Sequence, residues 1–327
     1  MGSGPTTGTP SKEKDPKPPN GQTEAPKQSS EFNLLLGPHS DSSKNLLDAC
    51  MTGNLESVQT IFQELHGDPE FHATITGRLS ISMDFACSYG HADIVTYLLE
   101  NGAVMGNAAM SAVWNEDTDG VIRVIEVLLK YGLDLAKFPA IIHNVIARSD
   151  QTLLRYLLSK GADPNGLDEF ETFPLDICGD NTSIGLLIDA GANVNAANLY
   201  QDAVSFIDDE SCFERLQYLL ERGIDINSQA VYAGIWGPGT HWYKVGMRGT
   251  ANEGTALHWA VRGFAVIKTK PDINLLPRVK WLLDHGANAE IEDNVGKKAI
   301  DYAKSQAMID LLKGYGSSCG ISGQGID

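Results

Sequence analysis

An all-α solenoid of about eight helix-turn-helix units, with short hairpin loops and one long insertion, is the architecture that three features of the sequence predict. A pair of bulky apolar residues followed three positions on by a glycine recurs along the chain: Leu98-Leu99 with Gly102, Leu128-Leu129 with Gly132, Leu157-Leu158 with Gly161, Leu187-Ile188 with Gly191, Leu219-Leu220 with Gly223, and Leu282-Leu283 with Gly286. Weaker copies at Ile61-Phe62 and Leu311-Leu312 flank this series, so successive copies lie 37, 30, 29, 30, 32, 63 and 29 residues apart, the signature of a stacked repeat. Within a copy the apolar residues keep helical spacing. Ile94, Val95, Leu98 and Leu99 form one stripe, and Asp93, Thr96 and Glu100 fall outside it.

Residues 1–41 are rich in Pro, Gly, Ser, Thr and Lys and have little apolar surface to bury, which predicts a disordered tail. Residues 42–316 carry the repeats, and residues 317–327 form a short flexible end. In each unit two short helices are expected. Gly102 supplies the left-handed residue that ends the second helix, and Gly90, twelve residues earlier, supplies the turn between the two. Gly120 and Gly132 repeat that interval, which places Gly120 in the same turn. First helices carry small residues where units press together, as in Leu46-Leu47-Asp48-Ala49-Cys50 and Met83-Asp84-Phe85-Ala86-Cys87. The last copy, with Lys304, Ser305, Gln306, Asp310 and Lys313, reads as a polar cap.

The double-length interval is accounted for by two insertions. Gly223 to Thr255 is 20 residues longer than Gly286 to Lys298, and Thr255 to Leu282 is 10 longer than Ile81 to Leu98. Without them the interval is 33 residues, one expanded unit with no hidden ninth. The larger insertion, about 228–254, contains Tyr232, Trp236, His241, Trp242, Tyr243, Lys244, Met247 and Arg248. Such aromatic and cationic side chains concentrate in interface hot spots, and long loops on a rigid scaffold often carry function. Tyr232, Trp236, His241, Trp242, Tyr243 and Arg248 are therefore the candidate partner-binding residues; the alternative is that these rings fold back onto the repeats. The smaller insertion, about 264–277, brings Lys268 and Lys270 near Arg278, a local basic patch that either meets an acidic partner or is simply solvated.

Thr255-Ala256-Leu257-His258-Trp259-Ala260 resembles the T-P-L-H-x-A signature of the ankyrin family, whose unit of about 33 residues is a β-turn plus two helices. Partial copies are Pro174-Leu175-Asp176, Ala299-Ile300-Asp301-Tyr302-Ala303, Gly161-Ala162-Asp163-Pro164-Asn165 and Gly191-Ala192-Asn193-Val194-Asn195. The resemblance covers roughly residues 42–316. It implies that a protein ligand binds the concave surface made by hairpin tips and first helices. It also implies that His258, and at the matching place His143, hydrogen-bond a neighbouring hairpin backbone. On this chain the tips include Asp163, Asp168, Glu169, Glu171, Asn193, Asn195, Asp202, Glu290, Glu292 and Asp293. An acid-rich surface of this kind either steers a basic partner or serves only solubility.

Charge excludes other classes. With 25 Lys plus Arg against 42 Asp plus Glu, the net charge is −17, opposite to what nucleic acid or an anionic membrane requires. Lys12, Lys14, Lys17 and Lys27 cancel four acids in the tail, so the repeats carry the whole deficit. The five cysteines, Cys50, Cys87, Cys178, Cys212 and Cys319, show no metal-ligand spacing and no disulfide framework, which fits a reducing setting, cytoplasmic or nuclear. No metal and no cofactor is expected: the eight histidines are scattered, and Gly234 to Gly239 lacks the context of a phosphate loop. No apolar run is long enough to span a membrane. Met1-Gly2-Ser3-Gly4-Pro5-Thr6 fits the short pattern for myristoylation at Gly2, without a polybasic second signal. The expected function is a non-catalytic scaffold or adaptor that binds a protein ligand through its concave face and aromatic insertion. The alternative is a regulatory or substrate-receptor subunit of an enzyme assembly such as a ubiquitin ligase, docked through Phe32-Asn33-Leu34-Leu35-Leu36.

Overall fold

The computed structural model describes residues 40–66, 69–169, 172–206, 209–229, 254–263 and 274–316. Among them are fourteen α-helices, four short 3-10 turns and no strand; one isolated antiparallel bridge joins Glu292 to Lys298. The helices pair into eight units. The first four are α1 (Ser40–Thr52) with α2 (Leu55–His66), α3 (Pro69–Ser88) with α4 (Ala92–Glu100), α5 (Ala108–Ala112) with α6 (Thr118–Lys130), and α7 (Ala140–Ala147) with α8 (Gln151–Ser159). Unit 5 pairs a 3-10 turn, Pro174–Ile177, with α9 (Asn181–Asp189), and unit 6 pairs α10 (Leu199–Phe206) with α11 (Asp209–Glu221). Unit 7 is α12 (Ala256–Arg262) with α13 (Leu276–Asp284), and unit 8 is a second 3-10 turn, Ala299–Tyr302, with α14 (Gln306–Gly316).

Two first helices are thus shorter than the repeat predicts. In unit 5, Pro174 opens the element and Asp180 already caps α9 by accepting the Ser183 N–H at 2.8 Å, so only one turn fits between them. In unit 8 the short link from Lys298 to Ser305 leaves the same room.

The recurrent glycine ends the second helix as its spacing predicts. Gly102, Gly132, Gly161, Gly191, Gly223 and Gly286 have φ of 87°, 94°, 92°, 96°, 73° and 98°. After each, the next N–H returns to the carbonyl of the first residue of the apolar pair, from Ala103 to Leu98 at 2.9 Å through Ala287 to Leu282 at 2.9 Å. The glycine's own N–H bonds the second residue of the pair, completing a Schellman closure. The residue that follows each of these six glycines is buried against the stack.

Gly120 departs from the expectation. It lies inside α6, because Asp117 starts that helix one turn earlier than in unit 2. Glycine suits the close packing there: an added Cβ would come within 2.7 Å of the Asp117 carboxylate, which would have to shift, and Gly90 lies close to its Cα. The left-handed interhelical turn is made instead by Gly53 (φ 75°), by Gly90 (φ 76°) and, in unit 4, by a serine, Ser149 (φ 57°).

One continuous apolar core runs from Leu46 to Leu312, with Ile94, Val124, Leu153 and the paired leucines at its centre and Ala49, Cys50, Ala86 and Cys87 at the close helix contacts. It does not break at the interrupted seam. Asn227 of unit 6 donates to Gly286 O at 3.2 Å and accepts the Asn288 N–H at 2.8 Å, while Gln201 reaches Gly254 O at 3.3 Å. Unit 7 therefore stacks directly on unit 6. The end unit is polar outside, with Lys304, Ser305, Gln306, Asp310 and Lys313 all exposed.

Candidate functional site

The hairpin tips share one local design. At five of them a carboxylate or amide accepts the N–H two residues on: Asp134 from Ala136 (3.2 Å), Asp163 from Asn165 (2.8 Å), Asn193 from Asn195 (3.1 Å), Asp225 from Asn227 (2.9 Å) and Asn288 from Glu290 (2.9 Å). Such side chains mimic a backbone turn and order the tip. Asn165 repeats the role of Asn227, donating to Gly191 O at 3.1 Å and accepting from the Asn193 N–H at 2.7 Å. Neighbouring tips are consequently locked in register.

This corrects the picture of the tips as an open acidic surface. Asp163 spends an oxygen on its own turn, and Asp168 accepts the Thr172 N–H at 2.9 Å. Asp293 is buried and accepts from Val295 N, Lys297 N and, at 2.6 Å, Tyr302 Oη; burial raises its pKa, but these bonds outweigh it and hold the carboxyl below the ordinary value. Glu290 is paired with Lys298 at 2.5 Å. Asp202 is not at a tip: it lies on α10, where burial and the neighbouring Asp176 push its pKa well up. Glu169 and Glu292 remain exposed acids. Asn193 and Asn195 lie exposed at the tip of unit 6, and Glu171 lies outside the described residues.

Arg278 is a second correction. It is fully buried in α13 and donates to Val204 O at 2.6 Å, so it is not part of a surface basic patch. Its position, four before the paired leucine, belongs to the apolar stripe, where the other units place Ile94, Val124 and Leu153. Arg215 occupies the same position in unit 6 and donates to Cys178 O (3.4 Å) and Gly179 O (2.8 Å) of unit 5. Arg148, at the end of α7, likewise donates to Val113 O of unit 3. Three arginines thus clip a unit to the carbonyls that end the previous unit's first helix. A cation inside the leucine stripe was the available signal for two of them.

The signature histidines perform the bridging role that the resemblance implied. Thr255 caps α12, and its N–H donates to Nδ1 of His258 at 3.2 Å; Nε2 therefore carries the proton and donates to Lys297 O at 3.1 Å in the next hairpin. Burial lowers the His258 pKa, keeping the ring neutral. His143 places Nε2 2.7 Å from Thr172 O, across to the hairpin of unit 5. The bridging histidine in two units, the left-handed glycine closure and the paired helices recur in one register. The chain is a stacked array of helix-turn-helix repeats. Similar solved structures include the ankyrin repeat domain of Bcl-3, described as a unique member of the IkappaB protein family, at 20% identity and TM-score 0.43 over 82% of this chain and 97% of that one. The human ASB11 ankyrin repeat domain is similar at 21% identity and TM-score 0.34, covering 83% and 96% of the two chains. The ankyrin repeat protein EF0377 is similar at 21% identity and TM-score 0.44, covering 63% and 95%. No family model and no curated protein matches the chain.

Tyr232, Trp236, His241, Trp242, Tyr243 and Arg248 lie outside the described residues, as do Lys268, Lys270, Gly2, Cys319 and the Phe32–Leu36 patch. Cys50, Cys87, Cys178 and Cys212 are buried in the core of the repeats; burial pushes the Cys50 and Cys178 thiols up to about 12, far from reactive thiolates. Among the described residues no helix is long and apolar enough to cross a membrane.

Proposed function

We propose that this ankyrin array is a non-catalytic scaffold that binds a protein ligand across its hairpin tips and the aromatic insertion between units 6 and 7. The observation that carries the reading is the tip row itself. Val104, Leu167 and Val295 are large apolar side chains left exposed there. In units 5 to 7 the tips of the same row are ordered by their Asx turns and cross-linked by Asn165 and Asn227. Ordered apolar side chains on a rigid frame bind with little further loss of entropy. The titratable groups nearest to catalytic types, His258, His143 and the described cysteines, already have structural roles. The insertion emerges beside Gln229 and Gly254, which are tied to Glu292 O and to Gln201, so its ends are anchored next to the tips. Glu169 and Glu292 favour a ligand with basic character.

Alanine at Trp236 and Trp242 tests the insertion. Binding to a captured ligand is expected to weaken at least tenfold with thermal unfolding unchanged. Loss of the folded state with the same substitutions would instead mean that these rings pack on the repeats.

A further inference from the structure

The edge opposite the tips, where first and second helices join, carries an open cleft that the tip row does not use. Its floor is a ladder of contacts between successive turns. His91 of unit 2 lies against Gly53 of unit 1 and bonds Met51 O at 3.1 Å. Gly90 lies against Asn115 and Gly120 of unit 3. The Thr118 hydroxyl donates to the Asp150 carboxylate of unit 4, and Gln151 donates to Asp180 of unit 5 at 3.0 Å. On this ladder the turns of units 3 and 4 enclose about 640 Å³, lined by Glu116 and by Arg148, Ser149, Asp150, Gln151 and Thr152. Ser149 there holds the left-handed backbone that units 1 and 2 give to glycine, a strained conformation for a residue with a Cβ.

Two residues before Glu116, in the same turn, stands an indole with no counterpart at the other turns among the described residues. Trp114 is 67% exposed, and in the next turn Tyr89, stacked on His91 at 6.4 Å, is 52% exposed. The acids around these rings outnumber the cations. Arg123 pairs with Asp117 at 3.4 Å and Arg148 with Asp150 at 3.6 Å, whereas the exposed Asp93, Glu116 and Asp119 form no ion pair among the described residues. An open indole beside unpaired carboxylates suits a guanidinium or ammonium group, which stacks on the ring face and pairs with the acid.

We infer that the cleft between the turns of units 3 and 4, lined by Glu116 and with the exposed Trp114 in the same turn, is a second docking surface, and that its occupant is a basic segment of a partner protein bearing arginine or lysine between apolar residues. It rests on the reading of the chain as a protein-binding scaffold but uses a different edge and none of the insertion. The cation lies over Trp114 and against Glu116 or Asp119, and the apolar neighbours reach toward Tyr89.

The test uses the full chain and a fluorescein-labelled peptide of alternating arginine and leucine, with a glutamate–leucine peptide as control, read by anisotropy. Trp114→Ala is expected to weaken binding of the arginine peptide at least tenfold while the melting temperature stays unchanged, since the side chain is exposed. Glu116→Lys is expected to do the same, and Glu292→Lys, an equal charge change at the tips, to have little effect. Removing Tyr232 to Arg248 is expected to leave this binding intact, which separates the inference from the tip and insertion reading. Equal weakening by Glu116→Lys and Glu292→Lys, or equal binding of the glutamate–leucine peptide, would overturn it. So would tenfold tighter binding after deletion of residues 1–39, since the chain's own tail would then be the occupant, or loss of a self-associated species in the Trp114→Ala variant.

Discussion

The hairpin tips and the interhelical turns are the two edges of one stack of repeats, yet they satisfy their polar groups in different ways. At the tips the same short-range devices recur: a left-handed glycine, an Asx turn at five tips, and in four places an asparagine or histidine bridge of one residue's reach. At the turns the closure is individual. Two units use a capping aspartate, another a threonine hydroxyl on a carboxylate, and three use an arginine that reaches back to carbonyls of the preceding unit. A repeated backbone conformation constrains residue identity, whereas a carbonyl that needs a donor can be met by any long side chain nearby. Local repetition therefore belongs to the tips and idiosyncrasy to the turns.

The largest expected effect breaks the turn edge at the seam. Arg278→Ala leaves Val204 O without that donor in the core and removes a fully buried side chain, so we expect a loss of about 3 kcal/mol, measured by urea unfolding. Unit 7 should loosen from unit 6 first, seen as faster hydrogen exchange in α12 and α13 than in α7 and α8.

Next comes the buried carboxyl pair between units 5 and 6. Burial raises the Asp176 pKa to about 6 although it accepts the Asn198 N–H at 3.1 Å and faces His143; its other oxygen, Oδ2, is buried without a partner. Asp202, near Arg215, is raised too. Because the folded pKa lies above the unfolded one, the folded state takes up a proton first, so Asp176 adds stability as pH falls from about 6 toward 4, and Asp202 acts in the same direction. Asp176→Asn should raise stability near pH 7.5 by about 2 kcal/mol and flatten that acid-side gain. His258 acts in the opposite sense: its lowered pKa costs stability as pH falls below its ordinary value of 6.5. Melts of the two variants Asp176→Asn and His258→Gln across this range separate the contributions.

Smaller effects sharpen the contrast. Asn227→Ala should cost about 1–2 kcal/mol by removing two cross-tip bonds at once, whereas Ser149→Gly, which relieves the left-handed serine, should stabilise by about 1 kcal/mol. Both are read as shifts in the urea midpoint. A neutral Asn227→Ala would show that the tips are held by the core alone.

Much of the fold was legible because its periodic parts require particular residues. The six glycines named at the ends of second helices are all left-handed, Cys50 and Cys87 are core residues, and His258 bridges hairpins as expected. The interval of 63 residues is one expanded unit among the described residues, since Asn227 spans directly to Gly286 and Asn288. Spacing misled where crowding, not conformation, selects glycine, as at Gly120, and where a first helix shrinks to a single 3-10 turn. The surface was less legible than the fold. Counting acids placed Asp163, Asp202 and Asp293 on an open acidic surface that either steers a partner or serves solubility, because composition does not show which carboxylates already serve a backbone N–H or lie buried on a helix. Trp114 and Glu116 drew no notice for the related reason that neither belongs to the repeat.

Affinity capture from native extract, with the full chain beside a chain lacking Tyr232 to Arg248 and identification by mass spectrometry, tests the central claim most directly. The scaffold reading predicts a set of captured proteins that is lost, in whole or in part, with the deletion while the array remains folded. An identical set from both chains would contradict the insertion as the recognition element, and no captured protein from either would contradict the scaffold function itself.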